Sequence, residues 1–120
     1  MAKILVVDDS PTMLNGTTKI LESANHEVIQ AVSGKEGIEK AGSESPDLIL
    51  MDIVMPDMSG FQATRAITTT EATKHIPVVM LSTKDQETDM LWATRQGASD
   101  YVVKPPNEQE LLSKIANLLK

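Results

Sequence analysis

Short apolar runs alternate with helical periodicities along the whole chain. Ile4-Leu5-Val6-Val7 is an unbroken run of the kind that forms a strand buried on both faces. It stops at Asp8-Asp9, after which Ser10-Pro11 reads as an N-cap with proline at the first helical position. Met13, Leu14, Thr17, Ile20, Leu21 and Ala24 then recur at helical spacing and predict one apolar face. Val28 to Val32 reads as a weaker, edge-like strand. Ser33-Gly34-Lys35-Glu36 has the spacing of a capping box, predicting a second helix that fades by Gly42. Leu48-Ile49-Leu50-Met51 is a second buried strand, ending at Asp52. A loop with Pro56 and Gly60 follows, and Ser59 with Gln62 opens a helix through about Thr68. Val78-Val79-Met80-Leu81 is a third buried strand, ending at Ser82. From about Asp85 to Gln96 the pattern is helical but its apolar face is thin. Leu91 and Ala93 are its best buried candidates, and Trp92 reads equally as a partial core residue or an exposed contact. Gly97 stands where a C′ glycine belongs. Tyr101-Val102-Val103 is the last strand, ending at Lys104-Pro105. Asn107, with Glu110 three residues on, caps a final helix that buries Leu111, Leu112, Ile115, Leu118 and Leu119.

Five strand–helix units in strict alternation demand a parallel sheet covered on both faces. Because crossovers are right-handed, the expected fold is α/β: a doubly wound, five-stranded parallel sheet of flavodoxin type, order 2-1-3-4-5. Ligands of such sheets bind outside the carboxyl ends of the strands.

The length of 120 residues fits one domain, spanning 1–120. With Phe61, Trp92 and Tyr101 as the only aromatic residues, the core has to be aliphatic. A net charge of −6 argues against broad nucleic-acid binding. The absence of cysteine removes disulfides, thiolate chemistry and Cys-ligated metals. The first apolar run is too short for a signal peptide or a membrane span, so a cytoplasmic protein without membrane partners is expected.

The predicted strand ends carry the chemistry. They supply Asp8 and Asp9, then Asp52, then Ser82 and Thr83, then Lys104, with Ser33 off to one side. Taken singly, each has an ordinary reading as a cap, a solvated turn or a surface lysine; the signal is their coincidence at one edge. Two carboxylates about 5 Å apart repel by roughly 3 kcal/mol at an effective dielectric of about 20. Three of them need compensation, from Lys104 and from a hard divalent cation for which Mg²⁺ is the natural choice. A carboxylate beside Mg²⁺, a lysine and a hydroxyl suits phosphoryl acceptance: the cations neutralise the transferring group and the carboxylate attacks without a general base. His26 and His75 lie near predicted strand starts and read as surface residues.

The motifs Val7-Asp8-Asp9-Ser10, Asp47 to Asp52, Met55-Pro56 to Gly60, Ser82, Gly97-Ala98 and Lys104-Pro105 resemble those of response-regulator receiver domains, in order and over the whole chain. The resemblance implies that Asp52 is the phosphoacceptor. It implies that Asp8, Asp9 and Asp52 hold Mg²⁺ together with the Val54 carbonyl, Asp9 being a more direct ligand than Asp8. It further implies that Lys104 binds the phosphoryl group, that the Lys104–Pro105 bond is cis, and that Ser82 and Tyr101 move together as a switch. The implied donor is a phosphohistidine on a sensor histidine kinase or its phosphotransfer domain. Such a protein is a phosphoacceptor switch and not an enzyme with an external substrate. Pro106, where many members carry a larger apolar residue, is expected to stiffen the start of the last helix. Val54 and Lys84 occupy positions at which the family tunes dephosphorylation. Stretches 51–56, 60–65 and 82–89 resemble single-domain regulators of type IV pilus twitching-motility systems, so the expected pathway is a chemotaxis-like or twitching-motility one. With Lys120 as the last residue, the expected output is protein–protein contact through the fourth helix, fifth strand and fifth helix, or competition for phosphoryl groups.

Three rival readings are weaker. A phosphohydrolase of the haloacid dehalogenase type needs a second aspartate two residues after its nucleophile, and Ser10 and Val54 stand there. A flavin or nucleotide carrier would not place two carboxylates in its first strand-to-helix turn. A phosphorylation-independent docking module has no need of the complete acidic and basic set.

Overall fold

A computed structural model describes residues 1–120. The elements follow in the order β1 (Lys3–Val7), α1 (Pro11–Ser23), β2 (Glu27–Ala31), α2 (Gly34–Glu44), β3 (Leu48–Met51), α3 (Gly60–Thr69), β4 (Val78–Ser82), α4 (Glu87–Arg95), β5 (Asp100–Val103) and α5 (Glu108–Leu118). All strand pairs are parallel and the order is β2-β1-β3-β4-β5, as the alternating pattern requires. No helix is long and apolar enough to cross a membrane.

The three unbroken apolar runs take the three central places, and β3 and β4 are buried at every residue. Successive side chains on a strand point to opposite faces, so the runs divide between two cores. Leu5, Val7, Ile49, Met51, Val78 and Met80 face α2, α3 and α4, where Ala41, Ala63, Ile67 and Ala93 meet them. Ile4, Val6, Leu48, Leu50, Val79, Leu81 and Val102 face α1 and α5, where Leu14, Leu21, Leu111 and Ile115 meet them.

The capping signals act largely as read. Ser10 Oγ accepts from Met13 N, and Asn107 Oδ1 from Glu110 N at 2.9 Å. Ser59 and Gln62 form the reciprocal box, with bonds of 3.2 and 3.0 Å. At α2, Ser33 Oγ accepts from Glu36 N, but the Glu36 carboxylate reaches past the cap to Val32 N at 2.6 Å. That helix continues beyond Gly42 to Glu44 and stops where Ser45 turns left-handed, at φ 47°. Pro106 lies before the cap Asn107, outside α5.

The thin fourth helix differs most from expectation. It is shorter than the pattern suggested, because the Asp89 carboxylate accepts from Gln86 N and starts the helix there. Ala93 is buried, but Leu91 is 52% exposed, as is Trp92, whose ring lies 5.7 Å from the Arg95 guanidinium carbon. Only one small residue of α4 therefore reaches the core, and Leu91 is not part of it. On α1, Met13 is likewise exposed while Leu14, Thr17 and Leu21 are buried. At the far end of α4, Gly97 adopts φ 96°, a conformation costly for residues with a Cβ. Ala98 N then bonds Ala93 O, and Gly97 N bonds Thr94 O, closing a Schellman motif.

Candidate functional site

Strand register brings the predicted residues together. Val7 stands beside both Ala31 and Met51, Met51 beside Met80, and Ser82 beside Val103. The ladders run one residue past the strands: Asp8 N donates to Ala31 O, Asp52 N to Val7 O and Lys104 N to Ser82 O, at 3.0, 3.0 and 2.8 Å. The backbones of the three charged residues are thereby fixed by the sheet, and their side chains emerge at its carboxyl edge. Carboxylate oxygens of Asp8, Asp9 and Asp52 lie within 4.8 Å of one another.

Lys104 reaches into this group from β5. Its ammonium is buried, paired with Asp8 Oδ2, and lies 3.7 Å from Asp52 Oδ2. The remaining oxygens of the two carboxylates are held locally: Ser10 N donates to Asp8 Oδ1 at 2.9 Å and Ile53 N to Asp52 Oδ1 at 2.8 Å. The side chain of Asp52 is only 12% exposed. Burial pushes its carboxyl above the ordinary value, against the pull of the Lys104 charge; Asp8 adds to the rise, and the Ile53 N–H and Ser82 hydroxyl oppose it. Three carboxylates against one ammonium leave two negative charges unbalanced. An all-oxygen donor set with that excess fits a hard divalent cation, and Asp9, exposed, gives it access. Val54 follows in the loop after Asp52, and its carbonyl accepts no hydrogen bond from the protein.

Ser82 is fully buried, and its hydroxyl accepts from Lys84 N at 3.4 Å. Thr83 beside it is exposed. Tyr101 lies against the α2–α3–α4 core and donates its hydroxyl to Lys84 O at 2.8 Å. Burial, followed by the negative charges of Asp89, Asp52 and Asp85, pushes its phenol up to about 12. The Lys104–Pro105 bond is cis. Ser33 caps α2, its hydroxyl accepting from Glu36 N at 3.1 Å. His75 is exposed, whereas His26 is half-buried: its Nδ1 accepts from Ala2 N at 3.1 Å at the opposite end of the sheet, and burial lowers its pKa.

Sequence reasoning passed over Asp57. Its carboxylate, in the β3–α3 loop, accepts from Gly34 N at 3.1 Å and Lys35 N at 2.9 Å, and these bonds hold it below the usual carboxylate range. An acid in a Pro- and Gly-containing loop reads as solvated, and its partners lie more than twenty residues away, beyond any local pattern. Thr68 was passed over likewise; its hydroxyl donates to Gln96 O at 2.6 Å.

Residues 4–116 match the family described as the response regulator receiver domain. The chain belongs to that family, the receiving component of two-component signalling. Among its relatives, it is 51% identical to Protein PilH of Pseudomonas aeruginosa over 119 residues, covering 99% of this chain and 98% of that one. The chemotaxis protein CheY4 of Vibrio cholerae superimposes with a TM-score of 0.92 at 34% identity, covering 99% of both chains. The receiver domain of sensor histidine kinase PA1611 from Pseudomonas aeruginosa superimposes with a TM-score of 0.91 at 27% identity, covering 98% of this chain and 97% of that one. That structure has a magnesium ion coordinated in its active site cleft.

Proposed function

We propose that Asp52 accepts a phosphoryl group from a phosphohistidine on a sensor histidine kinase or its phosphotransfer domain, in a Mg²⁺-dependent reaction. The carrying observation is a desolvated Asp52 carboxylate, 3.7 Å from a buried ammonium, in a group of three carboxylates. Asp8, Asp9, Asp52 and the Val54 carbonyl would hold the metal, which supplies positive charge for the oxygens of the transferring group. Asp52 attacks phosphorus; the P–N bond breaks, its electron pair returns to the imidazole, and an acyl phosphate remains on Asp52. Lys104, already positioned between Asp8 and Asp52, balances charge on the phosphoryl oxygens. Ser82 then turns toward those oxygens and gives up its bond from Lys84 N. Tyr101 follows by leaving Lys84 O, and the surface that α4, β5 and α5 form together changes as α4 and β5 shift against a fixed α5.

On this reading residues 1–120 act as one receiver unit, a switch and not an enzyme with an external substrate. It works in the cytoplasm, with protein partners and neither nucleic acid nor membrane, consistent with the net charge of −6. The sequence similarity supports a place in a chemotaxis-like or twitching-motility pathway. Intact mass after incubation with acetyl phosphate tests the chemistry. A single hydroxylamine-labile phosphoryl adduct is expected with Mg²⁺, absent with EDTA and absent from Asp52→Ala. No adduct under any condition would overturn the reading in favour of a docking module.

A further inference from the structure

The loop between β3 and α3 carries Val54 and is closed on the Asp52 peptide. Ile53 N donates to Asp52 Oδ1, and Gly60 N donates to Ile53 O at 2.7 Å. A Cβ on Gly60 would collide with the Asp52 carbonyl oxygen, so this closure requires glycine. These bonds hold the two ends of the loop. The crest, Pro56 and Asp57, is exposed, and what holds it in place is a different element.

That element is the first turn of α2. A helix begins with backbone N–H groups that have no partner within the helix. Here the Ser33 hydroxyl takes Glu36 N and the Ser33 carbonyl takes Gly37 N. The two remaining donors, Gly34 N and Lys35 N, go to the two oxygens of Asp57. A carboxylate at a helix N-terminus is also favoured by the helix dipole. Beside the bonds, Met58 lies so close over Gly34 that a side chain there would displace it. The crest is therefore clamped to α2 by a two-pronged, charge-assisted contact and one apolar contact.

We propose that Asp57 is a positioning residue for the divalent cation: by clamping the loop crest to α2 it fixes the Val54 carbonyl and the Asp52 carboxylate at the spacing the metal needs. This rests on the reading of the acidic group as a Mg²⁺ site. Asp57 itself touches neither the metal nor the phosphoryl group. The clamp also couples the site to α2, a helix outside the α4–β5–α5 surface.

Calorimetric Mg²⁺ titration of the full chain, with Asp57→Ala and Asp57→Asn beside it, tests the proposal. Amide exchange of the metal-free proteins gives the second readout. Asp57→Ala is expected to weaken Mg²⁺ binding about tenfold, the scale on which supporting residues act on metal sites. It should also speed exchange at Ile53 and Gly60. Asp57→Asn, which keeps one acceptor oxygen, should recover part of both. If Asp57→Ala binds Mg²⁺ within about twofold of the parent, Asp57 is only a cap for α2 and the proposal fails. Equal weakening in both variants with unchanged loop exchange would also overturn it, as an effect of charge alone. A parent chain that binds no Mg²⁺ would instead overturn the metal-site reading beneath it.

Discussion

Helices α1 and α5 reach the sheet with Leu14, Leu21, Leu111 and Ile115, all buried. On the other face, the fully buried apolar residues of α2, α3 and α4 are Ala41, Ala63, Ile67 and Ala93, three of the four small, while the larger Ile38 and Phe61 are only partly buried against it. Polar tethers occur on both faces. On the first, Gln30 Nε2 donates to the Thr18 hydroxyl and Lys114 Nζ to Tyr101 O, beside the leucine packing. On the second, where the buried side chains are smaller, Asp57 is tied to the start of α2, Thr68 to Gln96 O at the end of α4, and Tyr101 to Lys84 O before it. The difference has an energetic meaning. Truncating a buried leucine costs about 2–5 kcal/mol and no rearrangement recovers it cheaply. A hydrogen bond nets about 1 kcal/mol and can be exchanged for another of similar worth. The face built from α2, α3 and α4 is thus the one that can change its contacts at low cost. The α1–α5 face serves as the fixed frame.

The comparison can be broken by mutation. Leu111→Ala, on the fixed face, should lower unfolding free energy by about 2–5 kcal/mol in urea. A loss below about 1 kcal/mol would mean that α5 is no better anchored than α4.

Tyr101 reports on the yielding face. As the single tyrosine of the chain, it can be followed by the ultraviolet absorbance of its phenolate. The expected midpoint is about 12, against an ordinary value of 10.0. A pKa raised by folding means that the folded state holds this proton more tightly than the unfolded state. The corresponding stability is complete below pH 10.0 and is lost as pH rises toward about 12. A midpoint at the ordinary value would place the phenol in open solvent.

The smallest effect belongs to Trp92. It is the bulkiest side chain of α4, yet it is 52% exposed, with the Arg95 guanidinium carbon 5.7 Å from its ring. Trp92→Ala should cost less than about 1 kcal/mol in the same urea experiment. A loss equal to that of Leu111→Ala would erase the distinction between the faces.

The same contrast explains what could be read from the sequence. β1, β3 and β4 were visible because they are buried on both sides, which leaves continuous apolar runs with no competing period. Asp8, Asp52, Ser82 and Lys104 were visible because strand ends in such a sheet must meet at one edge, and the register brings them there. On the yielding face the local signals weaken. Leu91 and Ala93 are the apolar candidates of a thin face, but two residues apart on a helix they cannot share one side, and α4 meets its neighbours through Ala93 and turns Leu91 to solvent. Asp57 and Thr68 were invisible because each acts on a backbone more than twenty residues distant, and no periodicity encodes such a contact. Polar tethers of this kind arise from tertiary proximity, so they emerge only once the fold is in hand.

Amide exchange with and without acetyl phosphate and Mg²⁺, on the parent chain and on Asp52→Ala, tests the central claim most directly. Phosphorylation of Asp52 should alter protection in α4, in β5 and in the loops after β3 and β4. Protection in α1 and α5 should stay as it was, and Asp52→Ala should show no change anywhere. Equal protection of the phosphorylated and unphosphorylated parent throughout the chain, or a change centred on α1 and α5, would contradict the account.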